Sequence, residues 1–182
     1  MKALIVVDVQ VDFCEGGALG VGGGNAVADA IAQLIASEHG YDHVVATRDH
    51  HIDPGDHFSD APDFVDSWPP HCVVGTPGQD LHPALRGIDF DAVFDKGSYA
   101  AAYSGFEGDA DGVSLADWLR DRDVTCVDIC GIATDYCVRA TVLDAVREGF
   151  DTTVLADLTA AVHPESGGRV LAELTRAGAS VR

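Results

Sequence analysis

Between Asp49 and His71 the chain offers, within 23 residues, a donor set of one carboxylate and three imidazoles: Asp49, His51, His57 and His71. A single histidine in a polar loop reads as a surface residue. The set reads as a metal site, because Pro54, Gly55, Pro69 and Pro70 are turn formers that fold such a segment back on itself. One oxygen and three nitrogens suit zinc, manganese or ferrous iron. His50 sits among them, but an extended backbone turns it away from Asp49 and His51. His39, His43, His82 and His163 read as structural or surface residues.

A second constellation is scattered along the chain: Asp8, Lys96 and Cys137. Lysine occurs only at positions 2 and 96, so an interior lysine is an unusual choice in this composition. Cys137 is expected in the first turn of a helix, where the macrodipole and a nearby ammonium lower a thiol from its usual pKa of about 8.5. Asp8, desolvated at the end of a buried run, makes a better base than a surface carboxylate. Together they supply a nucleophile, a proton acceptor and a stabilising charge, and backbone N–H groups near Ala133 and Cys137 are placed to hold an oxyanion. Taken singly, each has a plainer reading: a packed cysteine, a capping aspartate, a surface lysine. Cys126 and Cys130 are read as packed small hydrophobes, and Cys14 and Cys72 are given no chemistry. Phe13 and Trp68 lie in polar, glycine- or proline-rich segments where core aromatics are less expected. The run Gly22-Gly23-Gly24 lacks the spacing of a dinucleotide-binding loop and reads as a flexible turn.

The elements that must position these residues are legible as alternating strands and helices. Strands are predicted at residues 2–9, 43–47, 92–95, 125–130, 152–156 and 179–182. Helices are predicted at 25–38, opened by a capping Asn25, and at 114–122, 135–148 and 165–176. Strands separated by helices imply crossover connections and a parallel sheet covered on both faces, an α/β/α sandwich. Ligands in such sheets gather at the carboxyl ends of the strands, where Asp8, Asp49, Lys96 and the segment leading to Cys137 all fall. The stretch 49–79 is too long for a passive connection and carries the metal donors.

Composition sets the outer bounds. The chain has 182 residues, enough for one domain with a sizeable core, and is 47% hydrophobic with 7% aromatics. A net charge of −19 argues against nucleic acid and anionic membranes as partners. There is no apolar run of about 18 residues, and the N-terminus leads straight into a strand, so neither a membrane span nor a signal peptide is expected. Five cysteines with no CxxC pair point to a reducing cytoplasm.

The opening Ala3-Leu4-Ile5-Val6-Val7-Asp8-Val9-Gln10-Val11-Asp12-Phe13-Cys14 resembles the start of the isochorismatase-like cysteine hydrolases. The blocks Thr47-Arg48-Asp49-His50-His51, Asp53-Pro54-Gly55-Asp56-His57-Phe58, Ser67-Trp68-Pro69-Pro70-His71-Cys72, Lys96-Gly97, Ala102-Tyr103-Ser104-Gly105-Phe106 and Gly131-Ile132-Ala133-Thr134-Asp135-Tyr136-Cys137-Val138 are similar to the nicotinamidase/pyrazinamidase group within that superfamily. Order and spacing are kept over essentially the whole chain.

The resemblance implies an isochorismatase-like, Rossmann-like hydrolase fold with a mainly parallel six-stranded sheet. It implies a single domain over residues 1–182 with a metal-binding loop insertion at 49–79. The catalytic triad falls on Asp8, Lys96 and Cys137, the ligands of one divalent metal on Asp49, His51, His57 and His71, and the oxyanion hole on Ala133 and Cys137. The substrate pocket falls on Phe13, Trp68 and Tyr103, with Ile132, Ala133 and Tyr136 at the nucleophile end and a cis peptide bond before Ala133. Position 136 varies between Tyr and His among relatives. The implied activity is hydrolysis of nicotinamide, and of pyrazinamide, to the acid and ammonia through a Cys137 thioester, in NAD salvage, by a monomer or small homo-oligomer. Two other readings compete. Amidases of the superfamily acting on carbamoyl or ureido substrates generally lack the histidine cluster, and an inert metal-binding or scaffold protein would not need the complete triad.

Overall fold

The computed structural model describes residues 1–38 and 40–182, so the reading of His39 lies outside the described residues. The first strand, β1 (Lys2–Val7), is apolar throughout because both faces of the sheet are covered. Ala3, Ile5 and Val7 enter one core, and Leu4 and Val6 enter the other. Along the chain follow α1 (Gly24–Ala36), β2 (His43–Asp49), β3 (Ala92–Lys96), β4 (Asp109–Ala110), β5 (Val113–Ser114), α2 (Leu115–Arg120), β6 (Cys126–Ile132), α3 (Arg139–Arg147), β7 (Asp151–Ala160), α4 (Gly167–Ala177) and β8 (Ser180–Val181). The sheet order is β5-β4-β3-β2-β1-β6-β7-β8. Helix α1 covers one face with Val27, Ala28 and Ile31. Helices α2, α3 and α4 cover the other through Leu115, Leu119, Val142, Ala145, Val170 and Leu174. Trp118 seals that second core, its ring beneath the Arg122 guanidinium at 3.8 Å and edge-on to Phe94 at 6.0 Å.

Three expectations need correction. The sheet has eight strands, not six: the six expected strands pair in parallel, and β4 and β5 extend the β3 edge antiparallel. Strands of two residues are too short to show a period in the sequence. Asn25 does not cap α1. Gly23 occupies the cap position, and the Glu15 carboxylate, reaching from the preceding loop, accepts the N–H groups of Gly23 at 2.6 Å and Asn25 at 2.7 Å. The helix expected from residue 135 begins its α-helical part only at Arg139, after a wider π-type turn at Thr134–Val138.

The parallel register lines up the functional strand ends. Val7 sits opposite both Thr47 and Gly131, and Asp49 sits opposite Lys96. Gly131 allows this closeness, since a Cβ there would lie 2.1 Å from the Val7 carbonyl oxygen, and its φ is +117°. Among the described residues no helix is long and apolar enough to cross a membrane.

Candidate active site

Lys96, Asp8 and Cys137 meet in the interior, with exposures of 2%, 0% and 7%. The Lys96 ammonium lies 2.8 Å from Asp8 Oδ2 and also contacts Asp49 Oδ1. Its hydrogen bonds go to Asp49, to the Ala102 carbonyl at 3.0 Å and to Cys137 Sγ at 3.8 Å. All three N–H groups are thereby used. Asp8 Oδ2 is left with charge contact to the ammonium but no hydrogen bond among the described residues. Its other oxygen accepts the Thr47 hydroxyl at 2.6 Å.

Three groups that favour negative charge thus surround one ammonium, and their pKa values separate accordingly. Burial pushes Asp49 upward, but the Lys96 charge first, and then the His51 and His71 imidazoles beside it, outweigh burial and hold the carboxyl well below its ordinary value. Burial likewise opposes the Lys96 charge, yet Asp49 and Asp8 keep the ammonium well above its ordinary value. Asp8 is raised by burial, against the pull of Lys96 and with help from Asp49. Cys137 is also raised, by burial first, with Lys96 opposing and Asp8 and Asp49 adding to the rise. This overturns the expectation of a thiol lowered by a helix start and an ammonium. The nucleophile lies in the π-type turn rather than at an α-helical N-terminus, and desolvation beside two carboxylates exceeds the single positive charge. Asp49 and Lys96 therefore form the standing ion pair, while one proton stays with the Asp8–Cys137 pair.

The loop beyond β2 folds back through bridges between His51 and Val73 and between Phe58 and Trp68, with the Trp68 N–H donating to the His57 carbonyl at 2.9 Å. The nearest ring nitrogens of His51, His57 and His71 lie within 4.8 Å of one another. Asp49 Oδ2 faces them, 3.3 Å from His51 Nε2 and 3.7 Å from His71 Nε2. Nδ1 of His51 lies 2.6 Å from the Gly97 carbonyl, and Nδ1 of His71 lies 2.8 Å from the Pro69 carbonyl. A carbonyl only accepts, so each Nδ1 carries the proton and each Nε2 presents its lone pair. A Cβ at Gly97 would come within 2.7 Å of the His51 ring, so that carbonyl approach requires glycine. Nε2 of His51 and Nδ1 of His57 are buried without a hydrogen-bond partner among the described residues. Burial first, then the neighbouring imidazoles, lowers His57 to about 4, which keeps it neutral. Bare buried lone pairs beside an ionised carboxylate fit a divalent cation. His50 points elsewhere, with Nδ1 2.6 Å from Gln79 Nε2 and 3.1 Å from Asp95 Oδ2.

Cys137, Asp49, His57 and His71 form the inner wall of a cavity of about 400 Å³. Phe13, Trp68, Tyr103, Ile132, Ala133 and Tyr136 line it as well. Trp68 Nε1 donates to the Tyr103 hydroxyl at 3.2 Å, and its ring meets Tyr136 edge-on at 5.1 Å. The Ile132–Ala133 peptide bond is cis. Asp8 and Lys96 do not line the cavity themselves; Lys96 contacts Cys137 and Asp49, which do.

Several contributors escaped the sequence reading. Gln10 clamps the Asp49 backbone, donating to its carbonyl at 2.9 Å and accepting its N–H at 2.8 Å. Thr47 orients Asp8, and Leu19, Val21, Phe64, Val162 and His163 complete the cavity wall. Gln10 was within reach of sequence reasoning, being a lone amide between two apolar residues at a strand end. Thr47 sits on β2 with nothing in the sequence to mark its hydroxyl, and the others lie in loops without a period.

An isochorismatase domain model matches residues 2–182. The nicotinamidase/pyrazinamidase of Mycobacterium tuberculosis is 58% identical over 97% of this chain and 96% of its own length. Among solved structures, a pyrazinamidase of Pyrococcus horikoshii in complex with zinc aligns with a TM-score of 0.84 and 38% identity, over 100% of this chain and 98% of that one. PnC1 from L. infantum in complex with nicotinate aligns with a TM-score of 0.88 and 38% identity, over 100% of this chain and 92% of that one.

Proposed function

The chain belongs to the isochorismatase family, and from that premise we propose that it is an amide hydrolase converting nicotinamide to nicotinate and ammonia, with pyrazinamide as a second substrate. The observation that carries the reading is the meeting of Cys137 Sγ, Lys96 Nζ and Asp8 at the inner end of an aromatic-walled cavity, beside a cluster of bare imidazole nitrogens.

Asp8, Lys96 and Cys137 are the catalytic residues. The Cys137 proton passes to the unbonded Oδ2 of Asp8 as sulfur attacks the carboxamide carbon. Lys96, already facing sulfur, favours the thiolate as it forms. The N–H groups of Ala133 and Cys137 hold the tetrahedral oxyanion. Asp8 returns the proton to the leaving nitrogen, ammonia departs and a thioester remains. Asp8 then takes a proton from water as the water attacks the thioester, which releases nicotinate and restores the thiol. Phe13, Trp68, Tyr103, Ile132, Ala133 and Tyr136 hold the ring. Asp49, His51, His57 and His71 would hold one divalent metal, of which zinc, iron and manganese suit the donors, and when bound it supplies a Lewis-acidic anchor for the ring nitrogen.

The rest of the reading is one domain over residues 1–182 with a metal-binding insertion at 49–79, working in the cytoplasm as a monomer or small homo-oligomer, without nucleic acid or membrane partners. Five free cysteines support a reducing compartment. A carbamoyl or ureido amidase would have no use for the imidazole cluster. Incubation of the metal-loaded protein with nicotinamide should release equimolar ammonia and nicotinate, and failure to release either would overturn the proposal.

A further inference from the structure

The loop closing the outer end of the cavity is acidic and carries no cation. No lysine or arginine occurs between Asp49 and Leu85, while Asp53, Asp56, Asp60, Asp63, Asp66 and Asp80 fall in that stretch. Asp63 and Asp66 are exposed and flank the segment that carries Phe64. Phe64, between them, lines the cavity, its ring 6.2 Å from Trp68 and its carbonyl 3.5 Å from the Tyr136 hydroxyl. Asp63 builds the turn: its Oδ1 accepts the N–H groups of Val65, Asp66 and Ser67, each at 2.9 Å. The Asp66 carboxylate is exposed and takes part in none of the hydrogen bonds or ion pairs found among the described residues. No lysine or arginine lines the cavity. Burial is the main cause that raises the Tyr103 and Tyr136 hydroxyls; Asp66 adds a smaller part to both, and at Tyr136 Asp66 and Asp63 add to the rise after Asp135.

Hydrolysis changes the charge of the ligand, since a neutral ring carboxamide enters and a ring carboxylate must leave. We propose that Asp63 and Asp66 are specificity-determining residues that discriminate by charge at the mouth, leaving entry of the neutral amide unhindered and repelling the anionic product. This inference rests on the nicotinamide reading above. Charges about 10 Å apart in a solvated mouth interact weakly and are screened over about the same length at 0.1 M salt, so the effect is a few-fold and belongs to low ionic strength.

The test compares the inhibition constant of nicotinate with the KM of nicotinamide in the metal-loaded enzyme. The variants are Asp66→Asn, which removes no hydrogen bond, and Asp63→Asn/Asp66→Asn, in which an asparagine oxygen remains for the turn amides. In the unaltered enzyme, raising salt from about 20 mM to about 300 mM should lower the nicotinate constant two- to fourfold. The double variant should show a lower constant already at low salt and a weaker salt response, with Asp66→Asn in between and the KM of nicotinamide unchanged throughout. Equal nicotinate constants in all three proteins at low salt would overturn the inference. So would a KM for nicotinamide that moves by the same factor as the nicotinate constant, because the mouth would then select by shape. Failure of the functional reading shows separately, as no ammonia released by the unaltered enzyme, and it overturns this inference with it.

Discussion

The two ends of the cavity's inner wall are built by different means. The nucleophile end hangs on regular structure: Asp8 directly follows β1, Lys96 ends β3, and Cys137 lies in the π-type turn after β6, so the sheet register and that turn set their spacing. The imidazole end has only Asp49 on a strand, and its three histidines sit in a loop held by isolated bridges, carbonyl contacts to Nδ1 and proline turns. The two ends meet at the Asp49 carboxylate, which turns one oxygen to Lys96 and the other to the imidazoles. A framework of strands suits groups that must keep a proton-transfer distance. A loop suits donors whose final geometry an ion can impose.

The largest test of that division is Cys137→Ala. Loss of the nucleophile should lower turnover at least about a thousandfold, and Cys137→Ser should fail too, while metal content and melting temperature stay unchanged. Metal lost from Cys137→Ala would show that the two ends are one unit.

Lys96→Met strikes the point where they meet. It strands Asp8 and Asp49 without their shared cation, so stability should fall by about 3–5 kcal/mol in chemical denaturation. Lys96 opposes the rise of the Cys137 thiol, so the alkylation profile of Cys137 in surviving protein should move to higher pH. An unmoved profile would leave Lys96 a structural role only.

A more moderate effect is expected from the loop. His71→Ala should weaken metal retention more than about tenfold and slow turnover of nicotinamide and pyrazinamide while the thiol remains alkylatable. Benzamide, without the ring nitrogen, should be a poor substrate of the unaltered enzyme and lose little more in the variant. Equal turnover of benzamide and nicotinamide by the unaltered enzyme would contradict ring anchoring.

The smallest effects come from pH. Asp8 must be ionised to take the thiol proton and burial raises it, so kcat/KM should fall on the acid side through a pKa above the usual aspartate value of about 4. His57 shifts the other way, from 6.5 to about 4. Unfolded chain binds a proton there before the folded protein does, so the metal-free protein should lose stability as pH falls between those values. A melting temperature flat across that window would show His57 to be as solvated as in the unfolded chain.

Much of this was legible from residue types alone. Apolar runs ending in Asp8 and Lys96 marked strand ends, and parallel sheets gather function there. What stayed hidden depends on groups brought together from distant positions. Glu15 replaces Asn25 as the α1 cap because a preceding loop carries it there, which no local pattern signals. The direction of the Cys137 shift depends on the depth of burial and on both carboxylates; the sequence places Asp8 and Asp49 on the same rim but does not show how deeply the thiol is buried beside them. β4 and β5 exist because the β3 edge offers pairing to a tight hairpin.

The placement of the indoles gives the protein two separate optical reporters. The chain has only two tryptophans: Trp68 walls the cavity with its Nε1 on Tyr103, and Trp118 points from α2 into the core beneath the Arg122 guanidinium. A pyridine ring entering the cavity should quench or shift the emission of the first, while the second should change only when the α2 core opens. Replacing Trp118 with phenylalanine would leave a protein whose steady-state fluorescence follows cavity occupancy, and stopped-flow mixing could then time ligand arrival apart from chemistry.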